Sequence, residues 1–198
     1  MRVSQKFAMA TLCAAIMLSV ASANGSQLAP APGADRNPMM LTTTAWPDGG
    51  DIPLRYTEAV PLPVSPGFKW ANAPVGTASF VFLMRDLDGA VSGGTDDNLH
   101  WLVWNIPAAA FGLAENVPRG DRLPSGSRQA GRTGSAYSGP DAPASGPRRH
   151  YVFELLALDI MPDIETGDAA VTRSNLFQAM QGHVLGRAVW FGLFRRPN

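Results

Sequence analysis

The chain has 198 residues, 45% of them hydrophobic, with equal numbers of acidic and basic side chains. That length carries one domain with a full core but not two, and that hydrophobic content excludes a disordered chain. A net formal charge of zero excludes a global basic field for nucleic acid or anionic membrane.

The first element is a targeting segment. Arg2 and Lys6 make a basic start, Phe7 to Val20 is an apolar run, and Ala21-Ser22-Ala23 is an A-x-A cleavage site. This predicts a secretory signal peptide over residues 1–23, cleaved after Ala23, and a periplasmic or secreted protein. The run is shorter than the ~20 residues a spanning helix needs, and no second run of spanning length follows. An integral membrane protein is therefore not expected once the signal is cleaved. The one cysteine, Cys13, lies inside the apolar run. Thr11 and Leu12 precede it where a lipoprotein needs small residues. The mature chain then has no thiol, disulfide or cysteine-based zinc site. Loss of Arg2 and Lys6 leaves a net charge of −2. Residues 24–37, rich in Ala, Pro and Gly, read as a flexible leader, and 38–198 as the domain.

Twenty glycines and 17 prolines favour short strands and turns. Met39 to Thr44 is a short β-type run. A turn follows from Trp46 to Pro53, then a strand at Leu54 to Thr57. Pro61, Pro63 and Pro66 exclude helix. Phe80 to Met84, within a strand from Thr77 to Asp86, is continuously apolar, as in a strand buried on both faces. Leu99 to Ile106 is a second strong strand. Alternation puts His100, Leu102, Trp104 and Ile106 on one face, and Trp101, Val103 and Asn105 on the other. Ala108 to Ser145 is a long connection rich in Gly and Pro, of the kind that is usually functional. His150 to Asp159 is the third strong strand, with Arg149, Tyr151, Phe153 and Leu155 of one parity. A helix is expected from about Ser174 to about Leu185, capped by Ser174 and stopped by Gly186. Ala188 to Arg195 is a last strand.

Asp86 and Asp88 end a strand two residues apart, where both would point to one side. Such a pair holds a metal, shares a proton or accepts hydrogen bonds from a ligand. Counted from Asp86, an EF-hand loop fails: position 5 is Ala90, position 6 is Val91 and position 12 is Asp97. A metal site of another kind, with Asp96 or Asp97 and His100, stays open, against a role for those acids in capping strands. His100 opens an apolar strand. A carboxylate bonded to it would favour the imidazolium and prepare it for an anion. No G-x-S-x-G elbow, H-E-x-x-H or dinucleotide fingerprint is present, and no residue stands out as a nucleophile. Three readings remain: an anion-binding module, a hydrolase or lyase using His100 with Asp86 and Asp88, and a metal-binding protein using the same cluster. Arg128, Arg132, Arg148 and Arg149 lie around one loop, as an anion-facing patch or, for Arg128 and Arg132, as solvated side chains. His183, on the late helix, fits a packing or capping role.

Several motifs in order resemble the phosphatidylethanolamine-binding proteins, in particular the bacterial Raf-kinase-inhibitor-like branch. They are Ser65-Pro66 through Trp70, Pro74 and Gly76-Thr77-Ala78-Ser79-Phe80, Asp86-Leu87-Asp88, and His100-Trp101-Leu102-Val103-Trp104-Asn105-Ile106-Pro107. Tyr137-Ser138-Gly139-Pro140-Asp141-Ala142-Pro143, Tyr151-Val152-Phe153, Ala157-Leu158-Asp159 and the segment Ala179 to Leu185 complete the set, over about residues 40–196. The resemblance implies a mostly β fold of two antiparallel sheets, of Greek-key type, with a C-terminal helix. It implies a non-catalytic binding protein, without cofactor, whose small pocket takes phosphate-like or carboxylate groups of a small ligand or a protein partner. Asp86, Asp88, His100 and Tyr151 carry over to the pocket. Gly139 and Pro140 carry over to its rim, and Pro143 to its wall, there with a cis bond after Ala142. The chain departs from the family at Arg149-His150-Tyr151, where H-R-Y is usual. In register, Arg149 takes the histidine's place, so Arg149 rather than His150 is expected to face the ligand or pair with Asp86 and Asp88. A second departure, Leu87-Asp88-Gly89-Ala90, lacks the family's prolines.

Overall fold

The computed structural model describes residues 37–89 and 93–198. The signal peptide expected over 1–23, and the leader expected over 24–37 except its last residue, lie outside them.

Among the described residues nine strands form two sheets. β1 (Met40–Thr42), β3 (Phe68–Ala71) and β6 (Gly112–Leu113) make a small antiparallel sheet in the order β1-β3-β6. The large sheet takes β2 (Gly50–Asp51), β4 (Ser79–Asp86), β5 (Asn98–Pro107), β7 (Arg128–Gly131), β8 (Arg149–Leu158) and β9 (Val184–Phe194) in the order β2-β9-β8-β4-β5-β7. All its pairings are antiparallel except the two-residue contact of β2 with β9. One helix, α1 (Ala169–Ala179), precedes β9.

Side-chain alternation explains why β4 is apolar at every position from Phe80 to Met84. Phe80, Phe82 and Met84 face the small sheet, where Phe68 lies 5.0 Å from both Phe82 and Phe153. Val81 and Leu83 face the other way and join Leu102, Trp104 and Leu156 beneath Leu176 and Met180 of the helix segment. The strand is buried on both faces, as its sequence predicts.

Three expectations for secondary structure are corrected. Leu54–Tyr56 is a short 3-10 turn rather than a strand, because Tyr56 N and Thr57 N bond back to Pro53 O and Leu54 O. The helix begins five residues before Ser174 and ends earlier than expected. Asp168, not Ser174, is its N-cap, accepting from Ala170 N and Val171 N. Val184 to Gly186 belong to β9, so Gly186 is no helix stop. A Cβ there would lie 2.9 Å from Pro74 Cγ, so glycine serves close packing. His183 is in the turn before β9, its ring 2.8 Å from Asp159 Oδ1, and it ties that turn to the end of β8.

Candidate functional site

β4 runs toward one end of the large sheet, and its antiparallel neighbours β5 and β8 start there. Asp86 therefore sits between Asn98 on one side and Tyr151 on the other. Strand β7 ends beside His100, and Arg132 N bonds to His100 O at 3.2 Å. Four strands thus bring charged residues to one sheet end.

His100 gets there by an irregularity. Arg85 faces Leu99 and Met84 faces Trp101, so His100 is an extra residue in β5. A second shift, with Asn105 at φ 56°, moves Ile106 to the face of Trp101 and Val103. The expected common face of His100, Leu102, Trp104 and Ile106 is thereby corrected. His100 stands edge-on to Tyr151, with ring centroids 5.3 Å apart, on the face that points to the small sheet.

The imidazole is fully buried. Its Nδ1 lies 2.9 Å from Gly139 O and 3.3 Å from Ser138 O. Carbonyls only accept, so Nδ1 carries the proton and Nε2 presents its lone pair. Nε2 has Asn98 Nδ2 at 3.4 Å and Asp141 Oδ1 at 3.8 Å, the latter beyond hydrogen-bond reach. Burial, and then the charge of Arg132, hold the His100 pKa below its ordinary value against the opposing pull of Asp141 and Asp86. The expected imidazolium is corrected: desolvation outweighs the carboxylates.

The two aspartates separate. Asp86 is fully buried and pairs with Arg149 Nη1 at 2.8 Å, while its other oxygen accepts from Asp88 N at 3.0 Å. Asp88 lies past the strand end, where the period of two no longer applies. It is half-exposed and accepts both the backbone N–H of His150, at 2.6 Å, and the His150 ring, at 2.9 Å. Partial burial disfavours its charge, yet the hydrogen bonds from His150 bring its pKa below the carboxylate norm. The expectation that Arg149 rather than His150 pairs with the aspartates holds for Asp86 and fails for Asp88. Strand parity explains the split: Arg149 and Tyr151 point inward, His150 outward.

Tyr151 is fully buried, and its phenol oxygen accepts from Asp141 N at 3.2 Å and Ala142 N at 3.1 Å. Burial, and then the nearby Asp86 charge, push its pKa up. This phenol fixes the backbone of the 139–143 segment against the sheet end. Gly139 and Pro140 are buried and bound to the 56–58 turn: Gly139 N donates to Glu58 Oε1 at 2.9 Å, and Glu58 N to Pro140 O at 2.8 Å. A Cβ on Gly139 would come within 2.6 Å of Tyr56 O. Pro143 is exposed, and no cis peptide bond occurs among the described residues, so the expected cis bond after Ala142 is not formed.

Sequence reasoning missed Asn98 and Asp141 as part of this cluster and left Arg132 open between an anion-facing patch and a solvated side chain. Arg132 Nη1 pairs with Asp141 Oδ2 at 2.5 Å, which gives a second ion pair beside that of Arg149 with Asp86. The signal was available for Asp141, inside the Gly139-Pro140-Asp141-Ala142-Pro143 motif. The four loop arginines do not form one patch. Each is bound to its own carboxylate: Arg128 to Glu165, Arg132 to Asp141, Arg148 to Asp51 and Arg149 to Asp86. Asp97 is held by Arg85 at 2.6 Å and Arg173 at 2.7 Å. Among the described residues no three His, Cys, Asp or Glu side chains are grouped to hold a metal ion.

Two packed sheets, with a helix on the far face of the larger one and a polar cluster built from strand ends and a folded-back loop, define a β-sandwich with charged groups gathered at one sheet end. The comparisons with known proteins specify the family. The family described as phosphatidylethanolamine-binding protein matches residues 42–195, and the chain belongs to it. Members of this family are generally non-catalytic binding proteins. A UPF0098 protein of Methanothermobacter thermautotrophicus is 41% identical over 80% of this chain and 99% of its own. A UPF0098 protein of Aquifex aeolicus is 30% identical over 80% and 89%. The crystal structure of a phosphatidylethanolamine-binding protein homologue from Chlamydia trachomatis is similar at a TM-score of 0.67 and 28% identity, over 80% of this chain and 97% of that one. Escherichia coli YbcL shares the fold, with a TM-score of 0.66 and 21% identity over 80% and 99%.

Proposed function

We propose that the protein binds a small anionic group, phosphate-like or carboxylate, at the cluster around His100, and that it does so outside the cytoplasm. The observation that carries this reading is the pair of guanidinium groups held by Asp141 and Asp86 in the cluster of the buried His100. Arg149 and Arg132 are each about one-third exposed, and each meets its carboxylate through one nitrogen. The remaining N–H donors of these planar forks suit the oxygens of an anion. His100 Nε2 offers an acceptor for a protonated oxygen of the same ligand. The family description and that of the Chlamydia trachomatis homologue speak of phosphatidylethanolamine, whose headgroup contains a phosphate, and this agrees with the donor set. Asp86 and Asp141 hold the arginines in place and keep the site near neutrality.

The test is calorimetric titration with inorganic phosphate, phosphoethanolamine and acetate. Arg149→Lys keeps a cation beside Asp86 but removes the fork, and is expected to weaken phosphate binding about tenfold, the scale of one charge-assisted hydrogen bond. His150→Ala is expected to change it less than about twofold, since that ring points away. The reading is overturned if His150→Ala abolishes binding while Arg149→Lys preserves it.

Export is supported by the basic start, apolar run and Ala21-Ser22-Ala23 site. No helix of the described residues is long and apolar enough to cross a membrane. The expected mature N-terminus is Asn24. N-terminal sequencing of protein recovered from the periplasm or medium checks it, and an intact Met1 end on that protein overturns it.

A further inference from the structure

We propose that the anionic group bound at the cluster carries a hydroxyl-rich body of about monosaccharide size, and that this body lies in a polar groove between the start of β5, the end of β7 and α1. The inference rests on the anion-binding reading above and names the ligand class, a soluble phosphorylated polyol. The groove has a volume of about 740 Å³. That is within the ~300–1,000 Å³ of small-molecule sites and far more than a phosphate alone fills. Asn98 and Arg132 belong both to this groove and to the cluster. Arg132 stands just past β7, the edge strand of the large sheet. Its Nη1 is taken by Asp141, while its Nη2 makes no hydrogen bond among the described residues. One guanidinium can therefore hold the anionic end of a ligand whose remainder turns into the groove.

The chemistry of the walls names the body. Ser174 and Gln178 lie one turn apart on α1, and Gln181 follows just after it; all three are exposed and line the groove. Their hydroxyl and amide groups form no hydrogen bond with other described side chains or backbone, and such groups both donate and accept, as a row of ligand hydroxyls requires. Leu99 and Phe177 are the only large apolar walls among the described residues, and the Arg173 guanidinium lies 5.2 Å from the Phe177 ring centre. Acyl chains would bury little apolar surface there, which disfavours a lipid. Asp96 and Asp168 also line the groove. Carboxylates accept from hydroxyls and repel a second anionic group, so the ligand carries its charge at the Arg132 end alone. The wall is held before any ligand arrives: Arg173 bonds to Asp97 O at 3.1 Å and pairs with Asp97 Oδ1 at 2.7 Å. The polar face of α1 also accounts for a helix that buries only Thr172 and Leu176.

Calorimetric titration of the purified protein with inorganic phosphate, glucose 6-phosphate and glucose tests this. The ester is expected to bind at least about tenfold tighter than either phosphate or glucose. The double variant Ser174→Ala, Gln178→Ala changes exposed helix positions that tolerate alanine. It is expected to lose at least about fivefold in affinity for the ester and to shift phosphate affinity less than about twofold. Gln178→Trp, which fills the groove from an exposed position, is expected to act in the same direction. Circular dichroism of the variants stays that of the parent. Phosphate that fails to bind overturns the anion reading and this inference with it. Phosphate that binds, with glucose 6-phosphate no tighter, overturns this inference alone. So does glucose that binds as well as its ester, or an ester advantage that survives both variants. Tighter binding to phosphatidylethanolamine in phosphatidylcholine vesicles than to glucose 6-phosphate overturns it too.

Discussion

At the scale of single residues, burial decides the chemistry of His100. The groups around it are Arg132, Asp141, Asp86 and Tyr151, and the net result is a pKa below the ordinary 6.5. In the window below 6.5 the unfolded chain binds more protons than the folded one. This contribution to stability is therefore complete above pH 6.5 and is lost as pH falls through that value toward the folded-state pKa. The urea midpoint is expected to drop between about pH 7 and about pH 5.5, and His100→Gln to flatten that part of the profile. A midpoint that rises as pH falls through this range would show that the imidazolium is the favoured form. The same scale shows what the motifs reveal. Asp86, His100, Arg149 and Tyr151 meet as expected because each lies at the end of a strong strand. Arg132 is legible only as one of four loop arginines, and Asn98 gives no signal, since an asparagine before a long strand looks like a surface residue.

At the scale of elements, periodicity served the strands and failed the helix. β4, β5 and β8 are long and apolar, so their bounds lie within two residues of expectation. Within β5 the strict period of two breaks at two bulges, because one extra residue reverses the parity of everything beyond it. α1 buries only Thr172 and Leu176, so it has almost no apolar stripe to read. Its start is set instead by the carboxylate of Asp168, which satisfies two otherwise unpaired N–H groups at the first turn. Asp168→Ala is expected to cost about 1 kcal/mol of stability in a denaturant titration. A loss below about 0.3 kcal/mol would mean that packing of Leu176 and Met180 alone sets the helix start. The turn at Leu54–Tyr56 escapes both periods for a related reason: three residues are too few for either to register.

At the scale of the whole molecule, the sequence by itself determined the architecture and half of the cluster. Runs apolar at every position demand burial on both faces, and only a second sheet on one side and a helix on the other supply it. The order of motifs placed Asp86, His100, Gly139 and Tyr151 in one group and marked Arg149 as the departure. Only the tertiary structure decided that Asp86 and Asp88 divide between Arg149 and His150, that Arg132 and Asp141 complete the cluster, and that burial lowers the His100 pKa. Each of these depends on distances between residues far apart in the chain and on how much water reaches them. Pattern along a chain encodes which face a side chain takes; it does not encode which partner waits there or how dry the meeting place is.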